Sequence, residues 1–318
     1  MPRERMTEVD LFQSHRSRLF AVAYRMLGSA SDAEDVVQDA WLRYAAAQPT
    51  DLRSPQAYLI TIVTRLCLDR LKSARAARED YVGPWLPEPM ITDDRHAPEQ
   101  SVALAESVTL AFMVLLETLS PEERAVFLLR EVFDHEYDEI AVMLDTTPAN
   151  CRQLFHRAKT RLADRRPRFR ESADAKRPLV GRFVNALRDG DGEALTSVLA
   201  EDVGFWSDGG GKVLAARRPV FGRAAVVQVL VGIRRTAPSL GIALDAVGLD
   251  VVEVNNEPAL VLRVAGRLDS VYTLSVEDDA IVAIRIVRNP DKLRFIERQL
   301  SGASHESPDQ PRSSAVGP

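Results

Sequence analysis

The stretch from Leu119 to Leu162, LSPEERAVFLLREVFDHEYDEIAVMLDTTPANCRQLFHRAKTRL, constrains the fold of this chain more tightly than any other. Ser120 is placed to cap a helix, Pro121 suits its first position, and Glu123 completes a capping box. After an acidic loop, Tyr137 to Leu144 reads as a short helix that buries Ile140, Ala141 and Leu144. Asp145-Thr146-Thr147 makes a turn, with Thr147 as the next N-cap and Pro148 at the first helical position. In the last helix Cys151, Phe155, Ala158 and Leu162 recur at intervals of four, three and four, and face inward. Arg152, Gln153, His156, Arg157 and Lys159 are left outside. The pattern predicts a helix-turn-helix whose second helix faces DNA, since Arg and Gln read base edges while Lys and distal Arg hold phosphates. A solvated basic face is the alternative reading of the same charges.

A second helical region lies upstream. Ser31 and Glu34 form a capping-box pattern that opens SDAEDVVQDAWLRYAAA. Its acids Asp32, Glu34, Asp35 and Asp39 cluster in the early turns, where the helix dipole favours them. Val36, Val37, Ala40, Trp41 and Tyr44 supply the apolar positions. Ser54-Pro55 then starts a helix that is apolar in its first half and basic in its second, with Arg65, Arg70, Lys72, Arg75 and Arg78. An acidic helix beside a half-apolar, half-basic one predicts one protein-binding face and one nucleic-acid face.

With these motifs in view, the chain resembles the bacterial extracytoplasmic-function sigma factors: residues 11–80 resemble sigma region two and 105–165 resemble sigma region four. The resemblance implies that DAEDVVQDAWLRY docks on the clamp of core RNA polymerase through Asp32, Glu34, Asp35, Gln38, Asp39 and Trp41. It implies that Tyr58, Arg65, Arg70, Lys72 and Arg75 serve the minus-ten element. Arg152, Gln153, His156, Arg157 and Lys159 would serve the minus-35 element. The implied partners are core RNA polymerase, at its clamp and flap, and promoter DNA, with no membrane, cofactor, metal or catalytic role, and a monomer when free. Asp145 stands where family members often have Gly, and Tyr58 and Leu66 where they often have Trp and Asn. These departures bear on promoter preference and not on the fold.

After RRPRFRESADAKRP the pattern starts afresh. LVGRFVNALRDGDGEALTSVLAEDV reads as two short helices broken at Asp189-Gly190-Asp191-Gly192, and AAVVQVLVGIRRT as a third. The runs IALDAVGLDVVEV, ALVLRVAGRLDSVYTLSV and AIVAIRIVRN read as strands separated by turn residues. Helices followed by strands predict an α+β domain with a curved antiparallel sheet. This order is similar to SnoaL-like cone domains. WLPEP (Trp85, Leu86, Pro87 and on to Pro89), DGGGK (Asp208, Gly209, Gly210, Gly211, Lys212) and NPDKL (Asn289, Pro290, Asp291, Lys292, Leu293) resemble the signature of sigma factors with a fused SnoaL-like extension, the SigJ-like type. The resemblance implies regulation in cis.

The expected organisation is region two at 1–80, a linker at 81–104, region four at 105–170, a SnoaL-like domain at 176–300 and a disordered tail at 301–318. Read on their own residues, the three short motifs keep two readings each. DGGGK lacks the Ser or Thr a phosphate loop needs after its Lys, so it is either a plain turn or a backbone approached by another domain. WLPEP is either a stiff linker or one pinned through Trp85 against the extension or region four. NPDKL is either a strand-end turn or the start of a docking helix, KLRFIERQL. In the extension Asp208, Asp245 and Asp250 are available as acids, and Trp206 and Tyr272 as pocket walls. No histidine lies between Arg170 and Leu300, which weakens a catalytic reading relative to sensing of an unknown small molecule.

The net charge of −5 does not oppose DNA binding, because basic residues concentrate at 65–78 and 152–170. Cys67 and Cys151 fall in helical patterns and read as reduced core residues. No apolar run approaches bilayer-spanning length and no signal-peptide core is present, so a cytoplasmic location is expected. Two rival readings are a stand-alone helix-turn-helix regulator and a SnoaL-like enzyme with a regulatory helical half.

Overall fold

The computed structural model describes residues 8–49, 52, 54–92, 109–163 and 173–303. The expected tail beyond 303, the rest of the linker and the side chain of Arg75 lie outside the described residues.

Region two is formed by α1 (Glu8–Leu27), α2 (Ala30–Ala47) and α3 (Pro55–Glu79). The expected cap at Ser31 is corrected by two residues. Gly28 takes φ +69° and ends α1, so Ser29 is the N-cap of α2 and its hydroxyl accepts from the Asp32 amide. Region four comprises α4 (Leu110–Leu116), α5 (Pro121–Phe127), α6 (Tyr137–Leu144) and α7 (Pro148–Ala163), α5 running on into a π turn at Leu128–Val132. The Ser120–Glu123 capping box is present in both directions, with bonds of 3.0 and 3.2 Å. Asp145 ends α6 in the left-handed region at φ 52°, a conformation Asp tolerates in place of Gly.

Regions two and four share one hydrophobic core. Leu19, Phe20, Val63 and Cys67 join a continuous buried cluster with Phe127, Leu128, Ile140 and Ala158, and Phe295 from the far end of the chain enters it.

The extension comprises α8 (Ala173–Asp189), α9 (Gly192–Val198), β1 (Leu199–Asp208), β2 (Val220–Phe221), α10 (Arg223–Thr236), β3 (Val247–Val254), β4 (Glu257–Val264), β5 (Arg267–Glu277), β6 (Ala280–Val287) and α11 (Pro290–Ala303). The six strands run β2-β1-β6-β5-β4-β3. The expected α+β fold is present, but the sheet is mixed: β1 pairs parallel to β6, and the other ladders are antiparallel. Leu199–Val203, read as the end of a helix, opens β1 instead. Its burial does not alternate, so the period-two signal of a strand is absent there. The run from Ala259 to Val276 divides at Ala265-Gly266, a two-residue hairpin with both residues at positive φ.

Alternation along the strands gives the sheet two different faces. Phe205, Leu260, Tyr272, Leu274, Ile284 and Ile286 pack with α8, α9 and α10 on the inner face. On the outer face Ala259, Val261, Val271 and Val287 pack with Leu293 and Ile296 of α11 and with Leu86 and Ile91 of the linker. The linker also meets the β3 edge through a single antiparallel bridge of Ile91 with Val254.

Candidate nucleic-acid interface

α7 presents Arg152, Gln153, His156, Arg157 and Lys159 on its exposed face, while Cys151, Leu154, Ala158 and Leu162 are buried. Leu154 was missed from the inward set, and Phe155 is only half-buried. Neighbours hold several of the basic groups. The Arg152 guanidinium lies 5.3 Å from the centroid of the Tyr137 ring. Lys159 Nζ is 3.4 Å from Glu131. Buried Glu123, already used in the capping box, takes Arg161 at 2.6 Å and Arg157 at 3.5 Å. Glu139 completes a second capping box at α6. Its carboxylate accepts from the Glu136 amide, which holds its pKa below the usual glutamate range, and the His135 ring adds to the effect.

The region-two residues fall into separate places. Tyr58 is half-buried with its ring 6.5 Å from Tyr44. Arg65 points to region four, donating to the carbonyls of Met143 at 2.9 Å and Val142 at 3.3 Å at the C-terminal end of α6. Arg70 gathers the acidic helix: it lies 3.2, 3.7 and 3.8 Å from Asp32, Asp35 and Asp39. Lys72 pairs with Glu122 at 3.3 Å. Glu34, Gln38 and Trp41 line a groove of about 420 Å³ between α1 and α2, with Val9, Phe12 and Val37 as apolar neighbours. Arg298 of α11 reaches Glu34 at 3.4 Å on the rim of that groove.

The three short motifs converge on one buried junction. Asp208, at the end of β1, is fully buried and accepts from the Tyr81 hydroxyl at 2.5 Å and the Leu86 amide at 2.8 Å. Lys292 of α11 lies 2.7 Å from the same carboxylate and donates to the Leu86 carbonyl at 2.5 Å. Its ammonium sits 4.0 Å from the Trp85 ring centroid. A Cβ on Gly28 would lie 2.7 Å from Trp85, so the indole packs against bare region-two backbone. Gly210 approaches Asn289 and the Tyr81 hydroxyl, where a Cβ would fall 2.3 and 3.0 Å away. The Asn289 side-chain amide donates to that hydroxyl at 2.9 Å. Lys212 pairs with Asp291, and Gly209 has no room for a Cβ beside the Val213 carbonyl, 2.7 Å away. Pro87 and Leu293 are buried there, and Pro290 begins α11. DGGGK is therefore both a turn and an interdomain contact, and WLPEP is pinned against the extension and region two.

Several contacts of this junction carried no sequence signal. Tyr81 precedes the recognised motif, and its hydroxyl is pushed upward in pKa by burial and by Asp208. Glu88 reaches across to α2, accepting from the Ser29 hydroxyl at 2.8 Å and the Ala30 amide at 3.0 Å. Asn255, read only as a turn residue, donates to the Tyr24 hydroxyl at 2.7 Å, while Tyr24 donates to the Glu88 carbonyl at 2.7 Å. Between the two helical units Arg124 donates to the Met26 carbonyl at 2.7 Å, and Arg25 lies 5.3 Å from the Phe133 ring centroid. Long-range partners of this kind leave no periodicity to read.

Of the acids proposed for the extension, Asp208 is engaged in the junction, and Asp245 and Asp250 are exposed. Tyr272 lines the inner cavity, whereas Trp206 points to the outer face and stacks on Arg285 at 5.2 Å. Among the described residues there is no cluster of His, Cys, Asp or Glu suited to a metal ion. No described helix is long and apolar enough to cross a membrane.

Comparison with known proteins agrees with this geometry. Residues 11–77 match Sigma-70 region 2 and residues 109–162 match Sigma-70, region 4. The chain is 37% identical over 291 residues to the ECF RNA polymerase sigma factor SigJ of Mycobacterium tuberculosis, covering 90% of this chain and 93% of that protein. It is 31% identical over 295 residues to the probable ECF RNA polymerase sigma factor SigI of the same species, covering 92% and 96%. The crystal structure of M. tuberculosis SigJ superposes with a TM-score of 0.72 at 34% identity, covering 90% of this chain and 98% of that one.

Proposed function

Because the chain belongs to the extracytoplasmic-function RNA polymerase sigma factors and carries a fused SnoaL-like domain, we propose how its surfaces divide the work and how the extension controls them. It is a transcription initiation factor and not an enzyme. In the proposed reading, the groove beside Trp41, Gln38 and Glu34 docks on the polymerase clamp. α7 enters the minus-35 major groove with Arg152, Gln153 and His156 toward base edges, and Arg157 and Lys159 toward phosphates. Lys72 and Arg75 approach the minus-ten strand. Arg65 and Arg70 are reassigned: Arg65 holds region two against region four, and Arg70 orders the acidic face of α2.

The extension is proposed to restrain the sigma domains. The observation that carries this reading is the junction of Tyr81, Leu86, Asp208 and Lys292, formed while regions two and four share a core. Minus-ten and minus-35 elements, separated by about 25 base pairs, lie about 85 Å apart along B-DNA at about 3.4 Å per step. Two domains joined by one core cannot reach both at once. Promoter engagement therefore requires the sigma domains to part, and a linker tied to the extension opposes that. In vitro transcription with core RNA polymerase tests the restraint. The Asp208→Asn/Lys292→Met double variant, which removes the charges together, is expected to initiate more transcripts than the parent chain. Equal or lower output from the folded double variant would reject restraint.

A further inference from the structure

The inner cavity of the extension lies between the sheet and the helices α8 and α10, and holds about 250 Å³, just below the range of about 300–1,000 Å³ usual for small-molecule sites. Leu187, Phe205, Leu230, Leu249, Leu262 and Ile286 make its wall apolar. The charges that line it are unbalanced: Arg188, Arg234 and Arg288 stand against Asp269 alone. Asp269 is already taken by Arg288, with both carboxylate oxygens on Nη2 at 2.9 and 3.2 Å. Arg188 and Arg234 have no ion-pair partner among the described residues. Arg234 is nonetheless held in place. Its Cδ and Nε lie 2.8 Å from where a Cβ on Gly190 would stand, so the stem lies across the turn between α8 and α9. An apolar wall with exposed Arg188 and half-buried Arg234 at its open side selects a ligand that is apolar at one end and anionic at the other, because Arg forms forked bonds to carboxylates.

We infer that this cavity binds a small amphipathic carboxylate, its chain against Phe205 and Leu262 and its head at Arg188 and Arg234. Arg288 connects that site to the junction. Its Nη1 donates to the Leu214 carbonyl at 2.5 Å, just beyond the glycine turn, and its backbone amide donates to the Asp208 carbonyl at 2.8 Å. Asn289, the next residue, contacts Tyr81. Occupancy of the cavity is thus sensed where the linker is held. This coupling rests on the restraint reading above; the binding itself does not.

Isothermal titration of the full chain with decanoate, below its micellar concentration, tests the binding without any polymerase. Decanol and decyltrimethylammonium are the controls. One saturable site for decanoate is expected, with decanol at least tenfold weaker and the cation not bound. Arg234→Gln and Arg188→Gln should each weaken decanoate at least threefold and the pair at least tenfold. Ala216→Trp, which fills the cavity from its lining, should abolish binding. Each variant is first shown to keep the parent's unfolding transition. Absence of decanoate binding, equal binding of the three amphiphiles, or full affinity in the double Arg variant would overturn the proposal. Linkage requires the junction to feel the ligand and the ligand to feel the junction equally. Asp208→Asn/Lys292→Met should therefore change decanoate affinity at least threefold; unchanged affinity would overturn the coupling while leaving the binding site in place.

Discussion

Replacing Lys292 with Met isolates the energetics of the junction. The substitution removes the ammonium 2.7 Å from Asp208 but leaves an aliphatic stem able to lie on Trp85. Asp208, with none of its surface exposed, then loses the ammonium and keeps the Tyr81 hydroxyl and the Leu86 and Gly210 amides as donors. Breaking a buried pair from one side costs about 3–5 kcal/mol, and the three surviving hydrogen bonds place this case at about 3 kcal/mol. Because the linker can lift away without unfolding region two, the loss should appear as local opening. The Leu86 amide reports it directly. At about 1.4 kcal/mol per decade, its hydrogen exchange should accelerate about 100-fold in Lys292→Met. In Asp208→Asn/Lys292→Met the acceleration should be smaller but still present, about tenfold, since no charge is left unpaired while the ionic tie to α11 is gone. Exchange followed by mass spectrometry on peptides spanning 81–92 gives the answer. Unchanged protection in the single variant would refute the pairing argument. Equal acceleration at Leu86 and at core amides such as Val63 would refute the idea of a separable junction.

Other surfaces offer independent checks. Arg65→Ala removes two bonds to carbonyls at the end of α6 and should loosen region two from region four by about 1–2 kcal/mol. Energy transfer between dyes at exposed Leu42 and Ala149 should fall, and an unchanged efficiency would count against that latch. Arg152→Ala should cost about 1–3 kcal/mol of discrimination at one minus-35 base pair. Arg157→Ala should cost less, because Arg157 must first leave Glu123; the reverse order in promoter-binding assays with holoenzyme contradicts the proposed orientation of α7. Glu139 has a folded pKa below its unfolded value, so its contribution to capping α6 is present above the ordinary glutamate pKa of about 4.3 and is lost as pH falls through the depressed folded value. Circular dichroism of Glu139→Gln should therefore show a weaker acid-induced loss of helix than the parent; identical profiles would remove Glu139 from the account.

Local physics decided how much could be read in advance. The helix-turn-helix was legible because each boundary is set by neighbours: Ser120 with Glu123, Asp145 at φ 52°, and Thr147, whose hydroxyl accepts from the Asn150 amide. The start of α2 was misplaced because Ser29 and Ser31 both suit an N-cap, and only the positive φ at Gly28 decides between them. β1 was partly hidden because the sheet's edge and bulge residues break alternation. The charged site residues could be placed on faces but not in roles. Arg65 and Arg70 look alike in sequence, yet one caps a helix of the neighbouring domain and the other gathers three aspartates. Asp208 was recognised as part of a motif, while Tyr81, on the other side of the same carboxylate, was not. Their separation of 127 residues is invisible to any local window.

The order in which these parts leave the ribosome gives the junction a history. Leu86 and Lys292 are 206 residues apart, so region two and the linker emerge long before α11 exists. At about 5–20 residues per second, synthesis of the intervening chain takes roughly 10–40 s. During that interval the linker has no outer sheet face to lie on, and Asp208 has no lysine. Every new molecule thus passes through a brief unlatched infancy, and the latch closes only once α11 has emerged.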